Sequence, residues 1–492
     1  MNRLRYFAVT TAICLGTFMA TLDISIVNVA LPAIQHDLDA PMVSLQWLID
    51  AYALCLSAVI LSAGPLSDRY GRKKMWLAGV LIFTLGSLLC ALADTLPLLL
   101  SGRVVQGIAA ALLIPGALSL ITHTFADNQQ RIRVIGIWSS VSALSLITGP
   151  ILGGVLVHTT GWEGIFLINI PVGIITFLLG QYGIRESADP EKAAFDPAGQ
   201  LLSIAALGCV TYGLTEAGIY GWLHPLTLLT VTGGIIFLLL FLYTENRVAK
   251  PLLPLTDFRR REYLHYNLAS FVIGFAAYTN VFFIALFLQK AQGWNALEAG
   301  WRMSPEFIAM ALFAFSFGRI ARKLSIRLIL GTGLLLTAAA CGLMTLLTPY
   351  TPYPLTGLML FMLGTGMGLS IPATGALIMH AADPARSGVA SATLNMMRQT
   401  GMTLGVALLG TLMIQRAVSI AQHRQLPSAE QLITGAQSGE LTAAVQNTVY
   451  EAFAGGFNLA MAGAALSAVW VFILIFYPRR RKMPQENGKI TL

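Results

Sequence analysis

Gly64-Pro65-Leu66-Ser67-Asp68-Arg69-Tyr70-Gly71-Arg72-Lys73-Lys74 is a nearly all-polar stretch between two apolar runs. Each run has about twenty residues, the length that crosses a bilayer as a helix. Five charges lie between them, in a gap too short for a folded domain. The stretch therefore reads as a tight loop joining two membrane helices. Gly64 and Gly71 are expected to let the backbones turn and approach closely. Asp68 and Arg72, four apart, can face each other on one helical turn. Basic residues after a span also serve simply to orient a chain. The ordered mixture of glycines, an acid and bases asks for more than that.

The 492 residues are 56% hydrophobic and 11% charged, with a mean hydropathy of +0.70. Soluble domains carry about 25% charged residues, so this is the composition of an integral membrane protein. Cys14, Cys55, Cys90, Cys209 and Cys341 all fall in apolar runs without close pairing, which suggests neither a disulfide framework nor a zinc site. The seven histidines form no metal-ligand spacing. No nucleophile–base pair and no cofactor motif stands in the spans, so neither an enzyme nor a cofactor is indicated. The net charge of +8 does not imply nucleic acid, because the bases gather in the loops of one side.

Hydropathy places spans at 8–30, 46–66, 75–94, 98–120, 134–157, 164–183, 199–218, 223–244, 265–288, 298–318, 328–348, 354–379, 388–414 and 456–477. Each is long enough for ~30 Å of hydrocarbon at ~1.5 Å per residue, and such runs cross as helices. The first follows Arg3 and Arg5 like a signal peptide, yet it outruns such a segment, continues into Asp23 and lacks a convincing cleavage site. The expected fold is thus all-α and integral to the membrane, with fourteen transmembrane helices.

With the amino terminus inside, 25 of the 31 Lys and Arg lie in inside segments. Among them are Arg247, Lys250, Arg259, Arg260, Arg261 and the tail Arg479-Arg480-Arg481-Lys482. Outside loops hold only Lys290, Arg416 and Arg424, and three arginines fall within spans. That bias follows the positive-inside rule. It implies an even number of spans, with both termini cytoplasmic; the membrane expected is a bacterial-type cytoplasmic (inner) one.

Gly318-Arg319-Ile320-Ala321-Arg322-Lys323-Leu324-Ser325-Ile326-Arg327 follows span ten as the opening stretch follows span two. The copy keeps the glycine, the apolar third position and the bases, with Arg322 and Ser325 in place of Asp68 and Gly71. An internal repeat is predicted. It divides the chain into an amino-terminal six-helix half (1–190), an inserted helix pair with linkers (191–261) and a carboxy-terminal six-helix half with its tail (262–492). Asp189, Pro190, Pro251 and Pro254 mark the linkers. The outside segment 416–455 is the longest, and its Ala429–Ala452 part suits a short surface helix. A plain loop is the simpler reading there than a partner-docking site.

The opening stretch fits Gly-x-Leu-x-Asp-Arg-x-Gly-Arg-Lys and resembles the signature loop between the second and third helices of the major facilitator superfamily of transporters. The resemblance implies that Asp68, Arg69, Gly71 and Arg72 form a cytoplasmic gate that differs between inward-open and outward-open states. Leu22-Asp23-Ile24-Ser25-Ile26-Val27-Asn28-Val29-Ala30-Leu31-Pro32 is similar to the first-helix signature of the fourteen-helix drug:proton antiporter branch. A carboxylate inside a span costs about 2.5–3.5 kcal/mol or more, so it normally faces protein or a wet cavity. Asp23 lies about seven residues, some 10 Å, inside the outer edge of its apolar run.

Arg103-Val104-Val105-Gln106-Gly107, at similar depth, resembles the Arg-x-x-Gln-Gly signature of proton-coupled facilitators. A buried guanidinium needs an anionic or carbonyl partner, for which Asp23 is a candidate; the alternative is an arginine reaching out to headgroups. Gly149-Pro150-Ile151-Leu152-Gly153-Gly154 looks like the antiporter signature of helix five, with Ser145 where the family has a further glycine. Pro150 predicts a kink, and Gly149 and Gly153 a close-packing face. Gly161–Gly173 resembles the approach to helix six, apart from Glu163 and Gly164, and Arg398-Gln399-Thr400-Gly401 resembles the thirteenth helix.

Glu306, after Pro305 in span ten, either carries a cation or second proton or pairs with Arg302 one turn away. Asn28, Gln106, Tyr278, Asn280, Asn395, Arg398 and Gln399, with Tyr266 and Asn267, are expected to line a mixed aromatic and polar substrate cavity. Taken singly, each has packing as its plainer explanation. The function expected is a proton-coupled antiporter, with Asp23, Arg103 and Glu306 in coupling, that exports amphipathic and preferably cationic compounds by alternating access. Its partners are then a small-molecule substrate, protons and the lipid bilayer, with a periplasmic adaptor left open. A dedicated exporter of one metabolite or antibiotic is the alternative; a polytopic enzyme or a sensor fits less well.

Overall fold

Long apolar runs become helices because lipid offers their backbone no other hydrogen-bond partner. The computed structural model describes residues 3–125, 127–188, 196–248, 251–253, 255–381, 387–426, 428–434 and 443–476. The helices of the first part are α1 (Arg3–Asp37), α2 (Met42–Tyr70), α3 (Arg72–Ala91), α4 (Leu96–Thr124), α5 (Asn128–Thr160) and α6 (Gly164–Gly183). Then come α7 (Pro197–Tyr220) and α8 (Pro225–Glu245). The last part holds α9 (Arg261–Ala291), α10 (Ala296–Ile320), α11 (Ile326–Met344), α12 (Tyr353–Ala381), α13 (Ser387–His423) and α14 (Ala443–Phe476).

Thirteen of these are each long and apolar enough to cross a membrane, and α5, bent by 44° after Leu146, makes the count fourteen. The bend has the expected cause. The ring of Pro150 displaces the carbonyl of the residue four before it, which is Leu146. Helix starts are capped by side chains: Asp127, Asp196 and Ser325 each accept a backbone N–H, and Asn295 and Glu298 form a reciprocal capping box.

Two local expectations are corrected. The chain does not turn at Gly64: α2 runs through Gly64 and Pro65 to Tyr70, and Gly71 alone makes the turn, at φ 107°. A helix keeps its backbone bonds until it meets a residue that tolerates positive φ. In the second copy of the loop the turn takes 321–325, and Ser325 serves as a cap instead. The helices also outrun the apolar stretches. Asp23 sits about 21 Å, at ~1.5 Å per residue, from the end of α1 at Asp37, because the helix continues past its apolar run into Gln35, His36 and Asp37.

The surface helix expected over Ala429–Ala452 exists as Ala429–Thr434, and from Ala443 the chain is already α14. Asp189, Pro190, Lys250, Pro254 and Arg479 to Lys482 lie outside the described residues.

Helix α1 packs on α5, α2 and α3 on α4, α10 and α11 on α12, and α13 on α14. Between the first six and last six helices the seams are α5 with α10, α2 with α13, and α1 with α9. Helix α7 lies against both α2 and α13, and α8 packs on α7. Gln200 of α7 donates to the Ala58 carbonyl of α2 (2.6 Å). Towards the other end of α7, Thr411 and Gln415 of α13 donate to the carbonyls of Leu214 and Ala217, both at 2.7 Å.

The apolar core is divided unevenly. One cluster joins the last six helices to the parts of α1, α2, α3, α4 and α5 far from the basic loops. A second, built mainly from the first six helices, fills their basic end. The two sets of helices are thus fused at the end opposite Arg72 and Arg327.

Candidate functional site

Asp23, Arg103 and Gln106 are at most 1% exposed and bonded to one another. Arg103 Nη1 meets Asp23 Oδ2 at 2.5 Å and donates to Gln106 Oε1 at 2.9 Å. Gln106 Nε2 donates to Asp23 Oδ1 (3.1 Å) and to Ser87 Oγ of α3 (2.8 Å). Arg103 Nε donates to the Leu48 carbonyl of α2, and its guanidinium lies 4.6 Å from the Tyr52 ring centroid. Tyr52 in turn donates to the Ala20 carbonyl of α1. Four helices therefore converge on one ion pair. The guanidinium does not reach out to headgroups, and Gln106 belongs to this network rather than to the substrate cavity.

Glycines make that convergence possible. A Cβ on Gly107 would stand 2.5 Å from the Tyr52 carbonyl oxygen, so only glycine lets α4 lie this close to α2. On α5, Gly149 and Gly153 press on Ser25 and Ile26 of α1, whereas Gly154 faces the other way. A Cβ there would lie 2.7 Å from Leu297 Cα and 2.8 Å from the Ala296 carbonyl oxygen, both at the start of α10. Gly300 of α10 similarly meets the Pro150 carbonyl. The helix-five motif thus serves two interfaces, one inside the first six helices and one across the seam.

A cavity lies between the two sets of helices, lined from α1 by Ile24, Ser25 and Asn28 and from α9 by Tyr278, Val281 and Phe282. Met310, Met367 and Met402 close it from α10, α12 and α13. A π-type segment over Ile273–Tyr278 precedes the Tyr278 side of this wall. Its Gly274 lies against the Arg398 carbonyl of α13. Arg398 sits behind Tyr278, 5.6 Å from the ring centroid, and is bonded to Asn395; neither residue lines the cavity, nor does Gln399. Asn280 is a correction: it is fully buried and donates to the sulfurs of Met344 and Met461 within the last six helices. Tyr266 lines a separate cleft at the basic end, and Asn267 is buried and bonded to the Tyr263 carbonyl.

A family model, the Major Facilitator Superfamily, matches residues 13–406. The chain belongs to that superfamily. It is 35% identical over 403 residues to the methylenomycin A resistance protein of Streptomyces coelicolor, covering 82% of this chain and 85% of that one. It is 31% identical over 494 residues to the drug efflux pump JefA of Mycobacterium tuberculosis, covering 94% and 95%. It is 33% identical over 406 residues to the tetracenomycin C resistance and export protein of Streptomyces glaucescens, covering 82% and 75%. Among solved structures, a bacterial homologue of the lysosomal transporter Spinster, in an inward-facing conformation, superposes with a TM-score of 0.66 at 20% identity, covering 96% and 98%.

Other features of this major facilitator protein were not legible from sequence motifs. Glu186 accepts from the backbone N–H groups of Lys73 and Lys74, capping α3, and Arg72 donates to Ser187. Asp68 and Arg72 do pair, at 2.5 Å, across the Gly71 break rather than along one helix. Glu306 is fully buried between α10 and its neighbours, with neither oxygen bonded among the described residues. The alternative pairing with Arg302 does not form: Arg302 lies 3.5 Å from the Trp294 ring centroid and donates to the Glu298 carbonyl. A third intramembrane acid, Asp50 of α2, stands in no motif, although an acid inside an apolar run is signal enough.

Proposed function

We propose that this protein is a proton-coupled antiporter of the fourteen-helix branch, exporting amphipathic drug-like compounds from the cytoplasm by alternating access. The observation that carries this reading is the Asp23–Arg103–Gln106 network, held on the same helix whose Ser25 and Asn28 line the cavity. A movement of α1 against α9, across the seam between the two sets of helices, reaches both at once. Two six-helix halves rocking about the cavity, with α7 and α8 inserted between them, supply such a movement. The basic loops support a cytoplasmic location for both termini. The close glycine contacts of α5 with α10 correspond to a state closed on the outer side.

The relatives named for methylenomycin A and tetracenomycin C support export of antibiotics. A cavity walled by Met and aromatic side chains suits varied apolar bodies, because these groups repack. Reconstitution in liposomes tests the coupling. An imposed pH gradient should drive substrate against its own gradient, and transport indifferent to pH would refute it. A narrow exporter of one antibiotic is the second reading, favoured by relatives named for a single compound; a susceptibility panel with and without overexpression separates the two.

Charge balance limits the stoichiometry. One inward proton is worth ~2.3 kcal/mol per 100 mV, which a departing monovalent cation cancels. A second proton restores the voltage contribution, and Glu306 is the acid proposed to carry it. Glu306→Gln is expected to reduce efflux of cations more than of neutral compounds. Equal loss for both, with poor expression, would make the residue structural.

The gate is proposed to act on the cycle and not on binding. Asp68→Asn should slow transport while leaving equilibrium substrate affinity nearly intact, because the pair lies at the basic end away from the cavity. A large affinity loss at unchanged turnover is the contrary result.

A further inference from the structure

Where α2, α7 and α13 meet, polar side chains are buried without partners. Asp50, Gln46, Thr211 and Thr215 are each at most 1% exposed. Both oxygens of Asp50, both amide atoms of Gln46 and both threonine hydroxyls lack a hydrogen-bond partner among the described residues. Other helical threonines here donate to their own backbone, as Thr176, Thr230 and Thr374 do.

The helix register gathers these groups. Gln46 and Asp50 are one turn apart on α2, as Thr211 and Thr215 are on α7. The contacts of Ser62 with Gln200 and of Trp47 with Tyr212 (5.9 Å) set α2 and α7 antiparallel, with position 50 level with position 211. Gln46 abuts Gly410 of α13, and the next residue, Thr411, donates to the carbonyls of Leu214 and Thr215.

A carboxylate, an amide oxygen and two hydroxyls are hard oxygen donors with a single negative charge. Buried polar groups left unbonded are costly, and an intramembrane acid ordinarily has a partner. A divalent ion would leave a net charge buried, whereas one monovalent ion balances the set. We propose that Asp50, Gln46, Thr211 and Thr215 form a site for a sodium-sized monovalent cation at the seam of α2, α7 and α13. Neither Asp23 nor Glu306 belongs to it. Occupancy ties the inserted helix α7 to α2 beside its seam with α13, which gives the inserted pair a stake in the conformational cycle.

Equilibrium binding of sodium-22 to the purified protein in detergent tests the site without any transport assay. Wild type should bind saturably, with choline failing to compete. Asp50→Asn should abolish that binding. Thr211→Val and Thr215→Val should each weaken it about tenfold or more, the size of a lost hydrogen bond to a charged group. Thermal unfolding of each variant without sodium checks that it is folded. Absence of saturable binding in wild type would overturn the proposal. Binding that survives in folded Asp50→Asn would overturn it equally, by putting the ion elsewhere.

Discussion

Asp23→Asn should bring gradient-driven efflux to background. Asparagine keeps the size of the side chain, but its single amide oxygen replaces two acceptors, so one of the bonds from Gln106 and Arg103 is lost where its NH2 meets a donor. What disappears is the one group in it that can take up and release a proton, together with the counter-charge of a guanidinium that is 1% exposed. Stranding that charge costs about 3–5 kcal/mol, so lower expression is expected as well. Asp23→Asn combined with Arg103→Gln removes the stranded charge and should recover expression without recovering efflux. Proton release on substrate addition to purified protein is the deciding measurement: fewer protons should be released by both variants than by wild type. If the folded single variant releases as many protons and pumps normally, Asp23 is structural and coupling lies elsewhere.

The second large effect is expected at Gly154. In Gly154→Val the new Cβ would stand within 3 Å of Leu297 Cα and of the Ala296 carbonyl, both main-chain atoms. No side-chain rotation relieves that, so the ends of α5 and α10 must part. The proposed state closed on the outer side is then lost, and the protein should remain open there, folded but inactive. A membrane-impermeant thiol reagent applied from outside should label Asn28→Cys in the cavity much faster when Gly154→Val is also present. Gly149→Val makes the contrast, because its Cβ would collide with Ser25 inside the first six helices and should damage folding instead. Unchanged labelling and wild-type efflux in Gly154→Val would show that α5 and α10 need not meet this closely.

The sequence alone determined what depends on local composition. Span number follows from apolar runs that must bond their own backbone. The bend at Pro150 and the turn at Gly71 follow from what those residues permit of the backbone. The Asp23–Arg103 pair was legible because a charge in a span is too costly to leave alone. Tertiary structure decided where each helix face points. Spacing allowed Arg302 to reach Glu306, but the Trp294 ring lies over its guanidinium and leaves the acid alone. Spacing likewise allowed Gln106 and Asn280 into the cavity, but the rotation of their helices turns them into the two bundles. Asp50 and the orphaned threonines of α7 share one seam only because α7, more than a hundred residues later in the chain, lies against α2 and α13. A helix carries its periodicity in its own residues; which partner each face meets is a property of the assembled bundle, and no local pattern encodes it.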